Sequence, residues 1–158
     1  MSTRGWVGFA FAVAAGGGLV VGRARADAPA GRFTDNGDGT VTDHQTTLVW
    51  QQTAPPSPVF WSQAQQDCAS NTAGLSGSGW RLPTIKELQT IVDRSKISPA
   101  IDDSFFFATD NDAFWSATCK AGGPVCPAGG SSAWGVYFGS GNVYDNDVSN
   151  NNRVRCVR

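Results

Sequence analysis

The residues of this chain equipped for chemistry are four cysteines (Cys68, Cys119, Cys126 and Cys156), a single histidine (His44), and two stretches dense in carboxylates and amides, DNGDGTVTDH and NVYDNDVSNNN. The cysteines are even in number and contain no C-x-x-C pair, so two disulfides are the stronger use of them and a zinc site the weaker. Three connectivities are open. Cys119 and Cys126 enclose the short loop KAGGPV, which closes easily, and that pairing leaves Cys68 with Cys156. His44 sits beside a turn, with no nucleophile and orienting group around it in the sequence, so no catalytic residue is assigned and an enzyme is not expected.

The first acidic stretch resembles a calcium loop. Asn36, Asp38 and Gly39 fall where an EF-hand has its third, fifth and sixth residues, but Thr34 and Gln45 stand where the first carboxylate and the bidentate glutamate belong. The expectation is a plain hairpin turn, with no metal and no cofactor. In the second stretch, Asn142, Tyr144, Asp145, Asn146, Asp147, Ser149, Asn150, Asn151 and Asn152 supply hydrogen bonds in both directions on short side chains, the composition of adaptable binding surfaces. The competing reading is a polar loop between two strands, because asparagine also favours turns.

These residues must be positioned by the elements around them. RFTDNGDGTVTDHQTTLVW alternates about a turn whose residues accept positive φ, a hairpin followed by a third strand near 47–51. TAPPSP breaks the chain. Over 60–71, Trp61, Ala64 and Cys68 recur at helical spacing and turn Cys68 inward. In GWRLPTIKEL, Trp80, Arg81 and Leu82 make a short strand that Pro83 stops. Thr84 and Glu87 then form a capping box for a helix whose apolar stripe is Ile85, Leu88, Ile91 and Val92, ending near Asp93. A polar, proline-containing loop leads to AFWSAT and AWGVYF, which alternate as strands. Trp134, Val136 and Phe138 share one side of the second and Gly135 and Tyr137 the other. GSGN turns the chain into a strand begun by Val143 and Tyr144, and RVRCVR closes the domain. The order predicts one α+β domain with two helices packed on short antiparallel strands.

The ends and the composition set the compartment. Arg4 precedes the apolar, glycine-rich run 6–22, and Ala24-Arg25-Ala26 supplies a small-residue cleavage site, so 1–26 read as a signal peptide, 27–31 as a leader and 32–158 as the domain. An uncleaved membrane anchor is the alternative for a run of that length. With cleavage no membrane span remains, and the protein is secreted, periplasmic or at the cell surface, where disulfides persist. The chain has 12 Lys and Arg against 13 Asp and Glu. Loss of Arg4, Arg23 and Arg25 leaves a net charge of about −4, the wrong sign for a nucleic-acid partner. Tryptophans 50, 61, 80, 115 and 134 are spread along the domain as core anchors.

DNGDGTVTD, LVW, FWSQAQQDC, GWRLPTIKEL, FWSAT, WGVYFGSGNV and VRCVR occur in the order seen in the DUF1566 family, also called the Lcl C-terminal domain after a bacterial collagen-like adhesin. The resemblance covers nearly all of 32–158, with CKAGGPVC as an added loop. It implies a C-type lectin-like fold related to formylglycine-generating enzymes, and the cysteine plan agrees: such domains join the first helix to the last strand and place a second bridge in the late loop region. It also places the asparagine-rich stretch on the exposed ligand face. Asp110, Asn111 and Asp112 of ATDNDAF offer calcium donors, but the sugar-binding tripeptide and Trp-Asn-Asp strand of calcium-dependent lectins are absent. The function implied is an exported binding module for an extracellular or envelope ligand, a glycan or a surface protein. A structural envelope protein is the second reading. The third is a divergent formylglycine-type oxidoreductase, which would need free thiols.

Overall fold

The computed structural model of the chain describes residues 29–121 and 131–158. The expected signal peptide therefore lies outside the described residues, and so does Cys126. The hairpin forms as the alternation predicts. β1 (Phe33–Asp35) and β2 (Thr40–Asp43) pair antiparallel around a turn whose Gly37 and Gly39 sit at φ 73° and 81°, where a side chain would be strained. Asp35 and Asp38 each accept a backbone N–H two residues on, from Gly37 at 2.8 Å and from Thr40 at 3.1 Å, and so hold the turn. β3 (Val49–Gln51) completes the sheet, with Val41 opposite Trp50 and both fully buried.

α1 (Trp61–Ala69) turns Trp61, Ala64 and Cys68 inward, as its spacing requires. α2 (Ile85–Thr90) opens on the capping box: the Thr84 hydroxyl accepts from the Glu87 N–H, and Glu87 Oε2 accepts from the Thr84 N–H at 2.8 Å. It stops earlier than expected, because the Asp93 N–H turns away to Ala100 O at 2.9 Å. β4 (Ala113–Cys119), β5 (Ser132–Tyr137) and β6 (Asn142–Asp147) form a second antiparallel sheet in that order.

This second sheet is buried on both faces at its centre. Neighbouring β4 residues point opposite ways. Phe114 joins a cluster with Leu88, Ile91, Val136 and Phe138, and Trp115 joins one with Trp61, Cys68, Trp80 and Ala133. The two helices thus cover opposite faces of one sheet. Of the five tryptophans in 32–158, Trp50, Trp61, Trp80 and Trp115 are core, but Trp134 is half-buried and carries Lys120 Nζ 5.8 Å from its ring centre. The loop expected to be polar contributes Ile101 and Phe106, at 0% and 1% exposure, to the first cluster.

The C-terminal stretch ties these parts together. The expected ladder for RVRCVR is replaced by single bridges to several partners: Asn152 to Val59, Arg153 to Phe114, and Val157 to both Trp50 and Arg81. The expected 80–82 strand reduces to that one bridge at Arg81. Residues 152–157 are buried, because they run between elements instead of along one edge. Cys156 is bonded to Cys68 of α1, with Cα atoms 5.4 Å apart and a sequence separation of 88. Cys119 is also disulfide-bonded, and its expected partner Cys126 lies outside the described residues. Among the described residues no helix is long and apolar enough to cross a membrane.

Candidate functional site

β6 is the last strand of its sheet, and among the described residues nothing pairs with its outer edge. It runs into a turn, Val148 to Asn151, after which Asn152 locks onto Val59 through reciprocal backbone bonds of 2.9 and 3.1 Å. The segment is therefore fixed at both ends, by the β5 ladder and by the Val59 bridge. Asn142, Asp147, Ser149, Asn150 and Asn151 are exposed, and Tyr144, Asp145 and Asn146 are half-buried.

Alternation divides these residues. Asp145 pairs across the ladder with Trp134 and accepts from Lys120 Nζ at 2.9 Å, so it shares a face with an aromatic ring and a cation. Tyr144 lies on the opposite face, across from Gly135. A Cβ at Gly135 would stand 2.5 Å from Phe114 O and 3.0 Å from the Tyr144 hydroxyl, so only glycine leaves room for both. That hydroxyl is buried with no hydrogen-bond partner, and desolvation raises its pKa above the ordinary tyrosine value. Tyr144 is thus packed inward at its polar end and is not displayed. Asn152, at 5% exposure, is also internal; its Oδ1 accepts from Asn146 Nδ2 at 3.3 Å, while its own Nδ2 is unpartnered.

Part of the polar run is spent on its own geometry. Asp147 Oδ1 accepts from the Ser149 N–H at 2.9 Å and the Ser149 hydroxyl at 2.6 Å, and these bonds hold its carboxyl below the usual aspartate range. Asn150 Nδ2 donates to Asn146 Oδ1 at 2.7 Å. The side chains left to face a ligand are Asn142 and Asn151, with Asp145, Ser149 and Asn150 offering their remaining capacity.

The other candidate groups have local roles. His44 Nε2 lies 2.8 Å from Thr34 Oγ1 across the hairpin. Asp43 is buried; desolvation alone would raise its pKa, but the Arg32 fork at 2.8 and 3.0 Å, with Thr46 and Gln45, holds it below the usual value. Among the described residues no group of three or more His, Cys, Asp or Glu is gathered to hold a metal.

Two residues passed over in the sequence stand out. Arg155 is fully buried and, among the described residues, forms no ion pair. Its guanidinium donates to Gln51 O at 2.7 Å, to Gln52 O, to Phe107 O at 3.0 Å and to Thr109 Oγ1 at 2.9 Å. The rings of Phe106 and Phe114 lie 5.1 and 5.7 Å from its centre. Burial lowers its pKa to about 9, so it is still charged at neutral pH. Arg153 donates to Asp110, Asp112 and Pro55 O at 2.6, 2.9 and 2.6 Å. Regular Val/Arg alternation could have marked one buried face, but it does not show that both arginines point into protein.

Among curated proteins, none matches the chain significantly. The family model of the Lcl C-terminal domain matches residues 39–158, which takes in β2, β3, both helices, the second sheet and the closing segment, and the chain belongs to that family.

Proposed function

We propose that this domain is an exported binding module, with a lectin-like scaffold, that recognises an extracellular or envelope ligand through the β6 edge and the turn after it. The observation that carries the reading is the open six-residue edge of β6, continuous with a turn of exposed amides and held rigid at both ends. Rigid backbone with short polar side chains gives hydrogen bonding at low entropic cost. A bridge from the first helix to the closing segment, Cys68–Cys156, is what a C-type lectin-like domain implies. The surface is an edge and not a cleft, which suits a surface protein or an extended glycan better than a small molecule. The oxidoreductase reading is taken no further, because the thiols it needs at Cys68, Cys119 and Cys156 are in disulfides.

The test is the triple variant Asn142→Ala, Asp145→Ala, Asn151→Ala in the exported protein, screened beside the parent against envelope proteins and glycans. Binding lost with an unchanged unfolding midpoint is the expected result. Ligands retained at parental affinity would refute the face. The internal pairing of Asn146, Asn150 and Asn152 favours the second reading, a structural envelope protein. In that case a pull-down from envelope fractions returns one stoichiometric partner, insensitive to the triple variant.

A further inference from the structure

We infer that the pocket between the 53–59 segment and the C-terminal end of α1 is a second site, separate from β6, that takes a small amphipathic cation: an apolar body carrying an uncharged hydrogen-bond acceptor and an ammonium group. The pocket has a volume of about 450 Å³, and its lining includes Pro55, Pro56 and Val59 from the first segment, Asp67 and Ala73 from the second, and Gln51 of β3. That volume lies in the range of small-molecule sites, roughly 300–1,000 Å³.

Its walls are largely apolar and tied in place. Pro55 and Pro56 have no N–H to offer. The Ala54 N–H donates to Phe107 O at 3.3 Å, Pro55 O accepts from Arg153 at 2.6 Å, and both backbone groups of Val59 pair with Asn152. Those bonds fix the first wall and use up its polar groups together. On the other side, the Cys68–Cys156 bridge holds α1, and the Thr72 N–H donates to Asp67 O at 2.9 Å. Walls already held cost a ligand little ordering. Thr53, Ser57 and Thr72 add exposed hydroxyls, which donate and accept alike and do not select a charge.

Two groups make the selection. Gln51 is 3% exposed, and its other polar groups are engaged: its N–H donates to Cys156 O at 2.9 Å, its carbonyl accepts from Arg155 at 2.7 Å, and its Oε1 accepts from the Cys156 N–H at 3.0 Å. The bond at Oε1 fixes the orientation of the amide, and Nε2 is left without a partner among the described residues. A buried donor calls for an acceptor. Asp67 is the one charged residue in the lining and the one charged residue of α1. Its Oδ1 accepts from Gln63 Nε2 at 2.7 Å, and no cation among the described residues pairs with it. It stands in the last turn of the helix, whose carbonyl end adds to the negative potential. An anion is repelled there. A wholly apolar molecule would strip water from Asp67 and leave Gln51 unpaired. An ammonium group at Asp67 and a carbonyl at Gln51 Nε2, on a body that packs against Pro55, Pro56 and Val59, meet each condition.

The experiment titrates the full exported chain with N-acyl diaminoalkanes, in which an acyl chain and amide carbonyl are separated from a terminal ammonium by spacers of several lengths. The same compounds with the amine acetylated, or replaced by a carboxylate, are the comparators. Saturable binding of at least one ammonium probe is expected, with a shift of the Gln51 side-chain amide resonance in the parent protein. Asp67→Asn keeps an oxygen for Gln63 and is expected to weaken the ammonium probe about fivefold, or ~1 kcal/mol, while leaving the acetylated one unchanged. Ala73→Phe, at an exposed position, is expected to fill the pocket and abolish binding of both. Should it not fold, Asp67→Asn and the Gln51 resonance decide alone. The β6 triple variant binds the probes as the parent does, which keeps this site's outcome distinct from that of the edge. No saturable binding of any ammonium probe, equal affinity for the carboxylate, an unmoved Gln51 resonance with probe bound, parental affinity in Asp67→Asn or in folded Ala73→Phe, or loss of binding in the β6 variant would each overturn the assignment.

Discussion

Replacing both Cys68 and Cys156 by alanine removes the one covalent link between α1 and the closing segment, and its cost follows from where that link sits. The bridge closes a loop of 88 residues. Loop closure of that length is worth about 4–5 kcal/mol in the chain-entropy model, through the unfolded chain it restrains. The native state loses little else. Residues 152–158 keep their backbone bonds to Val49, Gln51, Val59, Arg81 and Trp115, so the segment stays docked without the sulfurs. The two cysteines are 0% and 5% exposed, so alanine leaves a small void worth about 1 kcal/mol more. At about 2.1 cal/mol/K per residue over about 130 residues, a loss of about 5 kcal/mol lowers Tm by roughly 15–20 °C. Urea unfolding of the double variant, followed by tryptophan fluorescence, should show a lower midpoint and a larger m-value, because an unlinked chain exposes more surface. A loss under about 1 kcal/mol with an unchanged m-value would refute the argument: the closing segment's non-covalent contacts would then already restrain the chain as much as the bridge does.

Three further predictions use the same measurement. Tyr144→Phe deletes a buried hydroxyl with no partner and is expected to be neutral or stabilising by up to about 1 kcal/mol, whereas a loss above that would mean the hydroxyl is satisfied after all. Glu87 has its pKa lowered to about 2, first by the Arg81 hydrogen bonds and then by Thr84. A folded value depressed below the unfolded one stabilises above pH ~4.5 and is lost as pH falls toward ~2; with solvent screening discounted, Glu87→Gln should cost about 1 kcal/mol at pH 7. That gap should close by pH 2, and a gap unchanged across the range contradicts the ion pair. Arg155→Met keeps most of the volume but removes four donated bonds. The released desolvation of the charge offsets part of the loss, leaving a net cost of about 3 kcal/mol, and a variant as stable as the parent would show that the buried charge costs as much as its bonds return.

What the sequence revealed was local. The Thr84 and Glu87 capping box, the Asn36 to Gly39 turn and the Cys68 face of α1 depend on residues a few positions apart, and each formed as its spacing predicted. The family was legible for the same reason, since seven short motifs in order survive without knowledge of what they touch. The orientation of Tyr144 was not legible. NVYDND carries no apolar stripe to choose a face, and the choice is made by Gly135 on the neighbouring strand, which leaves the space the tyrosine ring enters. Nothing in NNN separates the third asparagine from the first two, and the burial of Asn152 comes from Val59, far away in sequence.

The closing segment explains how these two kinds of residue came to be adjacent. From Asn152 onward the backbone is shared among Val59, Phe114, Trp50 and Arg81, the side chain of Cys156 is bonded to α1, and Arg153 and Arg155 hold the 107–112 turn. Substitution anywhere in it disturbs several elements at once. Along β6, one side of the backbone is paired with β5 and the other pairs with nothing among the described residues, and in the turn after it the Val148 carbonyl accepts from the Trp61 N–H at 3.3 Å, so Asn142, Ser149 and Asn151 can change without moving a strand. A domain with its long-range contacts gathered in one buried stretch can vary the chemistry of the neighbouring edge at little cost in stability. The 107–110 turn is arranged differently: Arg153 holds Asp110, at φ 41°, and Arg155 holds Phe107 O and Thr109, so its shape is coupled to the core through that same closing segment.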